Sequence, residues 1–172
     1  MKGANVAEER IEIEPVLESV LRYCLKDARE RMEKGEQVAP FSALAVGDTL
    51  FMEEHAADTA AESFAAARRT VSNARGAKAY GFCYDGYIEV DTALESGVTR
   101  DCIIAEGGTP GAEYGHAIGL PYRIDKDGNL KFHEEPIYVS RALNYMLSLD
   151  LSDLDDEPEA EATEEAEPEQ AE

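Results

Sequence analysis

The sequence predicts an α+β domain: an antiparallel sheet, made of a hairpin and a meander, with two helices packed mainly on one of its faces. Three observations carry this expectation. Apolar residues recur at helical spacing in two stretches, from Pro15 and from Thr59. Short apolar runs are separated by turn residues at Gly47-Asp48, Asp85-Gly86 and Lys126-Asp127-Gly128-Asn129. After the second helix, about five strand-like runs follow with no helical pattern between them, as an antiparallel arrangement requires.

The first helix opens at Pro15, a residue suited to the first helical turn. Val16, Leu17, Val20, Leu21, Cys24, Leu25, Ala28 and Met32 form its apolar stripe, with Glu18–Arg22 and Glu30–Lys34 as i,i+4 pairs on the wet side and Gly35 as the stop. Phe41 to Val46 and Thr49 to Glu53 then read as a hairpin about Gly47-Asp48, pairing Leu44 with Phe51 and Ala45 with Leu50. Both faces are apolar, which predicts a central or covered hairpin. Thr59 and Glu62 form a capping box for the second helix, whose stripe Ala60, Phe64, Ala67, Val71, Ala74 ends at Gly76. Its alanines predict close packing on a sheet. Lys78 to Tyr84 and Tyr87 to Asp91 read as a hairpin about Asp85-Gly86, with Tyr84 opposite Tyr87. That register gathers Tyr80, Phe82, Tyr84 and Tyr87 on one face, and leaves Gly81, Cys83, Ile88 and Val90 on a smaller face that would receive the alanine-rich helix. Cys102 to Ala105, Tyr114 to Ile124 and Leu130 to Phe132 complete the meander, and Ile137 to Leu149 fits a closing helix or an extended segment equally.

The domain is expected to span residues 11–149, after a flexible segment 1–10 and before a disordered acidic tail, 150–172. The tail's Asp, Glu, Ala and Pro cannot bury enough surface to offset the entropy of ordering. The formal charge of the 172 residues is minus 21, and residues 151–172 hold 11 acids with no Lys or Arg. The remaining 26 acids against 16 Lys and Arg leave the rest of the chain at minus 10. Such a balance repels phosphate backbones and argues against nucleic-acid binding. No run of apolar residues is long enough to cross a membrane, and no secretory leader is evident. Cys24, Cys83 and Cys102 are odd in number, match no metal spacing and sit in apolar surroundings, so inert thiols in a reducing, cytoplasmic compartment are expected, with no metal and no cofactor.

Chemistry has few footholds. Glu106 to Gly111 is glycine-rich but lacks the Lys-Ser/Thr of a phosphate loop, so a wide turn with unusual backbone angles at Gly107, Gly108 and Gly111 is expected. His116, with Glu113 nearby and Glu106 across the loop, could form an acid/base pair or part of a metal site. His55 and His133 are also flanked by acids. No G-x-S-x-G elbow and no H-E-x-x-H occurs. Arg68, Arg69, Arg75 and Lys78 form the densest basic patch, at the C-terminal end of a helix where cations suit the dipole, and could dock the tail or an anion.

The stretches Phe41-Ser-Ala-Leu-Ala-Val, Ala66-Ala-Arg-Arg-Thr-Val, Ala79-Tyr-Gly-Phe-Cys-Tyr-Asp-Gly-Tyr and Cys102-Ile-Ile-Ala-Glu-Gly-Gly resemble small uncharacterised bacterial proteins of unknown function. The resemblance covers residues 36–147, implies a bacterial cytoplasmic protein, and carries no activity or site. The leading expectation is a non-enzymatic oligomeric or protein-interaction module, a homodimer using the Tyr80, Phe82, Tyr84, Tyr87 face. The alternatives are a small hydrolase or metal-assisted enzyme at His116, Glu106 and Glu113, and a small-ligand binding domain.

Overall fold

The computed structural model describes residues 11–90 and 97–147, so the expectations for residues 1–10 and for the tail from 150 lie outside the described residues. Two helices and seven antiparallel strands form the α+β architecture expected. They are α1 (Pro15–Glu33), β1 (Phe41–Val46), β2 (Thr49–Glu54), α2 (Ala60–Ser72), β3 (Ala79–Val90), β4 (Val98–Gly108), β5 (Gly115–Ile124), β6 (Leu130–Phe132) and β7 (Ile137–Ala142). The order across the sheet is β2-β1-β3-β4-β5-β6, with β7 also paired to β5.

Pro15 sits at the first turn of α1, which buries Leu17, Val20, Leu21, Cys24, Leu25 and Ala28, and Gly35 ends it with φ 84°. Each large apolar side chain so buried contributes about 1.5–3 kcal/mol of transfer free energy. Arg22 pairs with Glu18 at 3.0 Å as expected, but Glu30 pairs with Lys26, because Lys34 already lies past the last helical residue as the C-cap. The first hairpin has the expected register, Leu44 opposite Phe51 and Ala45 opposite Leu50, with Gly47 at φ 59° in the turn. It is not central, however. β1 is interior and β2 is the sheet edge, leaving Phe51 55% exposed.

Three expectations are corrected. Asp85-Gly86 is no turn: β3 runs straight through it and pairs with β4 from Tyr80↔Gly108 to Val90↔Val98, with Gly86 opposite Cys102. Uninterrupted alternation then puts Tyr80, Phe82, Tyr84 and Ile88 on one face, and Gly81, Cys83, Asp85 and Tyr87 on the other. The two helices also divide between the faces. α1 packs on the small-residue face, where a Cβ at Gly81 would meet Cys24 Sγ and Val20 at 3.1 Å, while α2 reaches the aromatic face through Phe64, whose ring lies 5.0 Å from Phe82 and 4.9 Å from Tyr84. The alanine-rich helix thus takes the face opposite to the one expected, since the glycine and cysteine side leaves room for the longer, leucine-bearing helix. Finally, Gly107 and Gly108 lie within β4 and only Gly111 adopts a positive φ, 78°. Gly107 is required for closeness instead, because a Cβ there would overlap the Tyr80 carbonyl oxygen.

The ambiguous final stretch resolves into β7 and a turn. Glu134-Glu135-Pro136 separates β6 from β7, which both pair along β5. The turn then seats Met146, fully buried, against Val71, Ala77 and Tyr80 on the α2 face. Among the described residues no helix is long and apolar enough to cross a membrane.

Candidate functional site

Strand parity decides which side chains can meet. Glu106 pairs with Ala117 and Gly107 with His116, so Glu106 projects from the α2 face and His116 from the α1 face. The acid/base pair expected between them is not formed. His116 Nδ1 lies 2.9 Å from the Tyr138 hydroxyl, its ring 5.5 Å from Tyr114, and it shares a cavity of about 280 Å³ with Glu12, Glu14 and Glu113. Burial, then the Arg141 guanidinium, lower its pKa. Glu106 instead accepts a 2.7 Å hydrogen bond from the Tyr84 hydroxyl, and burial raises its carboxyl above the usual range, an effect the Tyr84 bond partly offsets. Among the described residues no group of three His, Cys, Asp or Glu is placed to hold a metal.

Of the aromatic residues expected to mediate association, Tyr80 and Phe82 are core and Tyr84 is half-buried. Tyr145 stacks on Tyr80 at 5.5 Å. The Tyr80 hydroxyl accepts the Tyr145 backbone N–H at 2.9 Å and donates to the Leu143 carbonyl at 3.3 Å. Tyr87 is 67% exposed on the opposite face. Of the basic residues singled out, Arg68 lies over the Tyr145 ring at 5.5 Å and Arg69 in the last turn of α2, while Arg75 and Lys78 follow the helix before β3.

The cysteines are all buried, and desolvation pushes the Cys24 and Cys102 thiols up to about 12 and raises Cys83 as well, so thiolate chemistry has no support. Sequence reasoning missed one Ser–His contact, Ser42 Oγ to His55 Nε2 at 2.8 Å. The signal was present in the hairpin register: Ser42 opposes Glu53, and His55 follows two positions on along the same strand side. Both residues are buried, 1% and 5% exposed, and the pair satisfies two core polar groups.

A second constellation was also missed. Arg123 on β5 stands directly opposite Lys131 on β6. Arg100 on β4 lies two residues from Cys102, whose partner Pro121 lies two residues from Arg123, so Arg100 falls level with Arg123 on the same face. Three cations thus stand side by side on adjacent strands, and with His133 and Pro121 they line a cavity of about 250 Å³. His133 commits Nδ1 to the Glu135 carbonyl at 2.8 Å. Like charges directly opposite one another destabilise a sheet, and the ion pairs formed among the described residues include none of these three. The Asp125 carboxyl feels Lys131 and Arg123, but the turn holds it: its Oδ1 accepts the Asp127 and Asn129 backbone N–H groups, each at 2.9 Å, and the Asn129 bond is the main cause of its lowered pKa.

The strip borders an apolar half-face. Tyr84, Ile88 and Val139, partly buried, pack about Cys102, Ile104 and Ala117 on the side where α2 meets β1 and, through Phe64, β3. The available chemistry there is a cationic edge beside an apolar floor. Comparison with family models, with curated proteins and with solved structures finds no match for the chain.

Proposed function

We propose that the protein is a non-enzymatic protein-interaction module, which receives an acidic, leucine-bearing segment of a partner on the half-face of β4, β5 and β6 that carries Arg100, Arg123 and Lys131. The observation that carries this reading is the cross-strand row of like charges in a chain of formal charge minus 21. Repulsion within the row is relieved when carboxylates approach it, while a duplex nucleic acid meets the long-range repulsion of the whole chain. The neighbouring Ile88, Ile104 and Val139 supply contact area, so the occupant gains apolar burial beside its ion pairs.

Homodimerisation through this surface is disfavoured, since a two-fold interface would set the cationic row against its own copy. Self-association, where it occurs, would use the unpaired edge of β2 with its exposed Phe51. Catalysis at His116 would have Glu113 beside it and not Glu106, which projects from the opposite face.

The test uses fluorescence anisotropy of a fluorescein-labelled peptide alternating leucine with aspartate, and of its asparagine counterpart, against the full chain. Preferential binding of the aspartate peptide is expected, weakening with salt, and Arg100→Gln combined with Arg123→Gln and Lys131→Gln should lower its affinity at least tenfold. Equal affinity for the two peptides would overturn the proposal.

A further inference from the structure

We infer that the chain carries its own occupant for this surface: residues 148–157 lie along the half-face in cis, with Asp155, Asp156 and Glu157 on the Arg100, Arg123, Lys131 row, and an external partner must displace them. The inference rests on reading the row as a site for an acidic segment.

Direction, length and chemistry agree. The chain leaves the described residues on the correct face, because Met146 is buried against Tyr80 and Val71 and its carbonyl accepts the Gly111 N–H at 2.9 Å. That bond anchors the exit at the end of the sheet where β5 begins. From Gly115 to Arg123 is eight residues of strand, roughly 27 Å at about 3.4 Å each. Eight residues beyond Leu147 is Asp155, the first of three consecutive carboxylates, and an extended chain covers roughly the same span. Between them, Leu149 and Leu151 would pass over Val139 and Ile104. Alternation turns Leu149, Leu151, Asp155 and Glu157 to one side of an extended chain, so two leucines meet the apolar floor and two carboxylates meet the cations, with Asp156 between them. A tethered segment acts at an effective concentration on the order of millimolar, so even weak contacts hold it against dilute competitors.

The experiment compares three full-length proteins: wild type, the variant Asp155→Asn, Asp156→Asn, Glu157→Gln, and a control, Glu164→Gln, Glu165→Gln, Glu167→Gln, that removes the same charge farther along. The readouts are affinity for the leucine–aspartate peptide and the amide NMR shifts of Arg100, Arg123 and Lys131. The first variant should bind the peptide at least tenfold more tightly than wild type and move those shifts, while the control matches wild type in both. If variant and control behave alike, the tail acts only through bulk charge and the inference falls, whether or not the peptide binds. If the shifts move but no protein binds the peptide, the contact in cis stands and the partner reading of the preceding section falls.

Discussion

Glu106 illustrates how a single position is held against a cost. Its carboxyl is largely withdrawn from water, which raises its pKa, and the Tyr84 hydroxyl at 2.7 Å is what keeps the ionised form tolerable. Tyr84→Phe should therefore destabilise the protein by about 1–3 kcal/mol at pH 7, because it strands a buried acceptor. Glu106→Gln should cost less, since an amide oxygen still accepts that bond. Urea unfolding of both variants checks this, and a Tyr84→Phe protein as stable as wild type would refute it. Glu106 was visible in the sequence as an unusual acid beside glycines, but its partner was not. Whether it meets His116 or Tyr84 depends on the parity of the β4–β5 register, and a shift of one residue reverses every face. That register is set by the connection from Thr109 to Tyr114, whose path no local pattern specifies. The Arg100, Arg123, Lys131 row was hidden for the same reason, being assembled from three strands 31 residues apart in sequence at its extremes.

Elements governed by local rules were legible, and those decided by tertiary pairing were not. Pro15, Gly35, the Gly47-Asp48 turn and the Thr59 cap, whose Oγ1 accepts the Glu62 N–H at 3.1 Å, each act within a few residues, and each appears where expected. Asp85-Gly86 carries the same kind of signal, yet Gly86 keeps a strand conformation and Asp85 accepts a 2.7 Å bond from the Tyr122 hydroxyl. A ladder of eleven pairs with β4 outweighs the preference of two residues for a turn. The closeness of β3 and β4 also makes a prediction at this scale. Gly107→Ala, which drives a methyl into the Tyr80 carbonyl, should cost about 3 kcal/mol or more, whereas Gly86→Ala, whose nearest neighbours are side-chain atoms at 3.4 Å, should change stability by about 1 kcal/mol at most. Equal denaturation midpoints for the two would contradict this packing.

For the molecule as a whole, acidification reports on the buried His55 and the half-buried His116. His55 and His116 both have pKa values lowered from 6.5, each chiefly by burial, so the folded protein binds fewer protons than the unfolded chain as pH falls below that value. Their contribution to stability is complete above 6.5 and is lost as pH falls through the lower, folded values. Glu106 and Asp85 act in the opposite sense, because burial raises their pKa values: protonating them relieves a cost, at pH above their ordinary 4.5 and 3.8. The urea midpoint should therefore drop between pH 7 and about 5.5, where histidines dominate, and His55→Gln should flatten that slope even if it lowers stability throughout. A wild-type midpoint unchanged across this interval would count against His55 and His116 being held neutral.

The placement of α1 has a kinetic corollary. Its leucines rest on Ile103, Ala105, Ile118 and Leu120, residues that leave the ribosome roughly 80 to 100 positions after them. At synthesis rates of about 5–20 residues per second, that is a delay on the order of 4–20 seconds. Throughout it, the part of the helix stripe that rests on β4 and β5 has only β1 and β3 beside it, which makes the nascent α1 the natural client of whatever shields emerging chains.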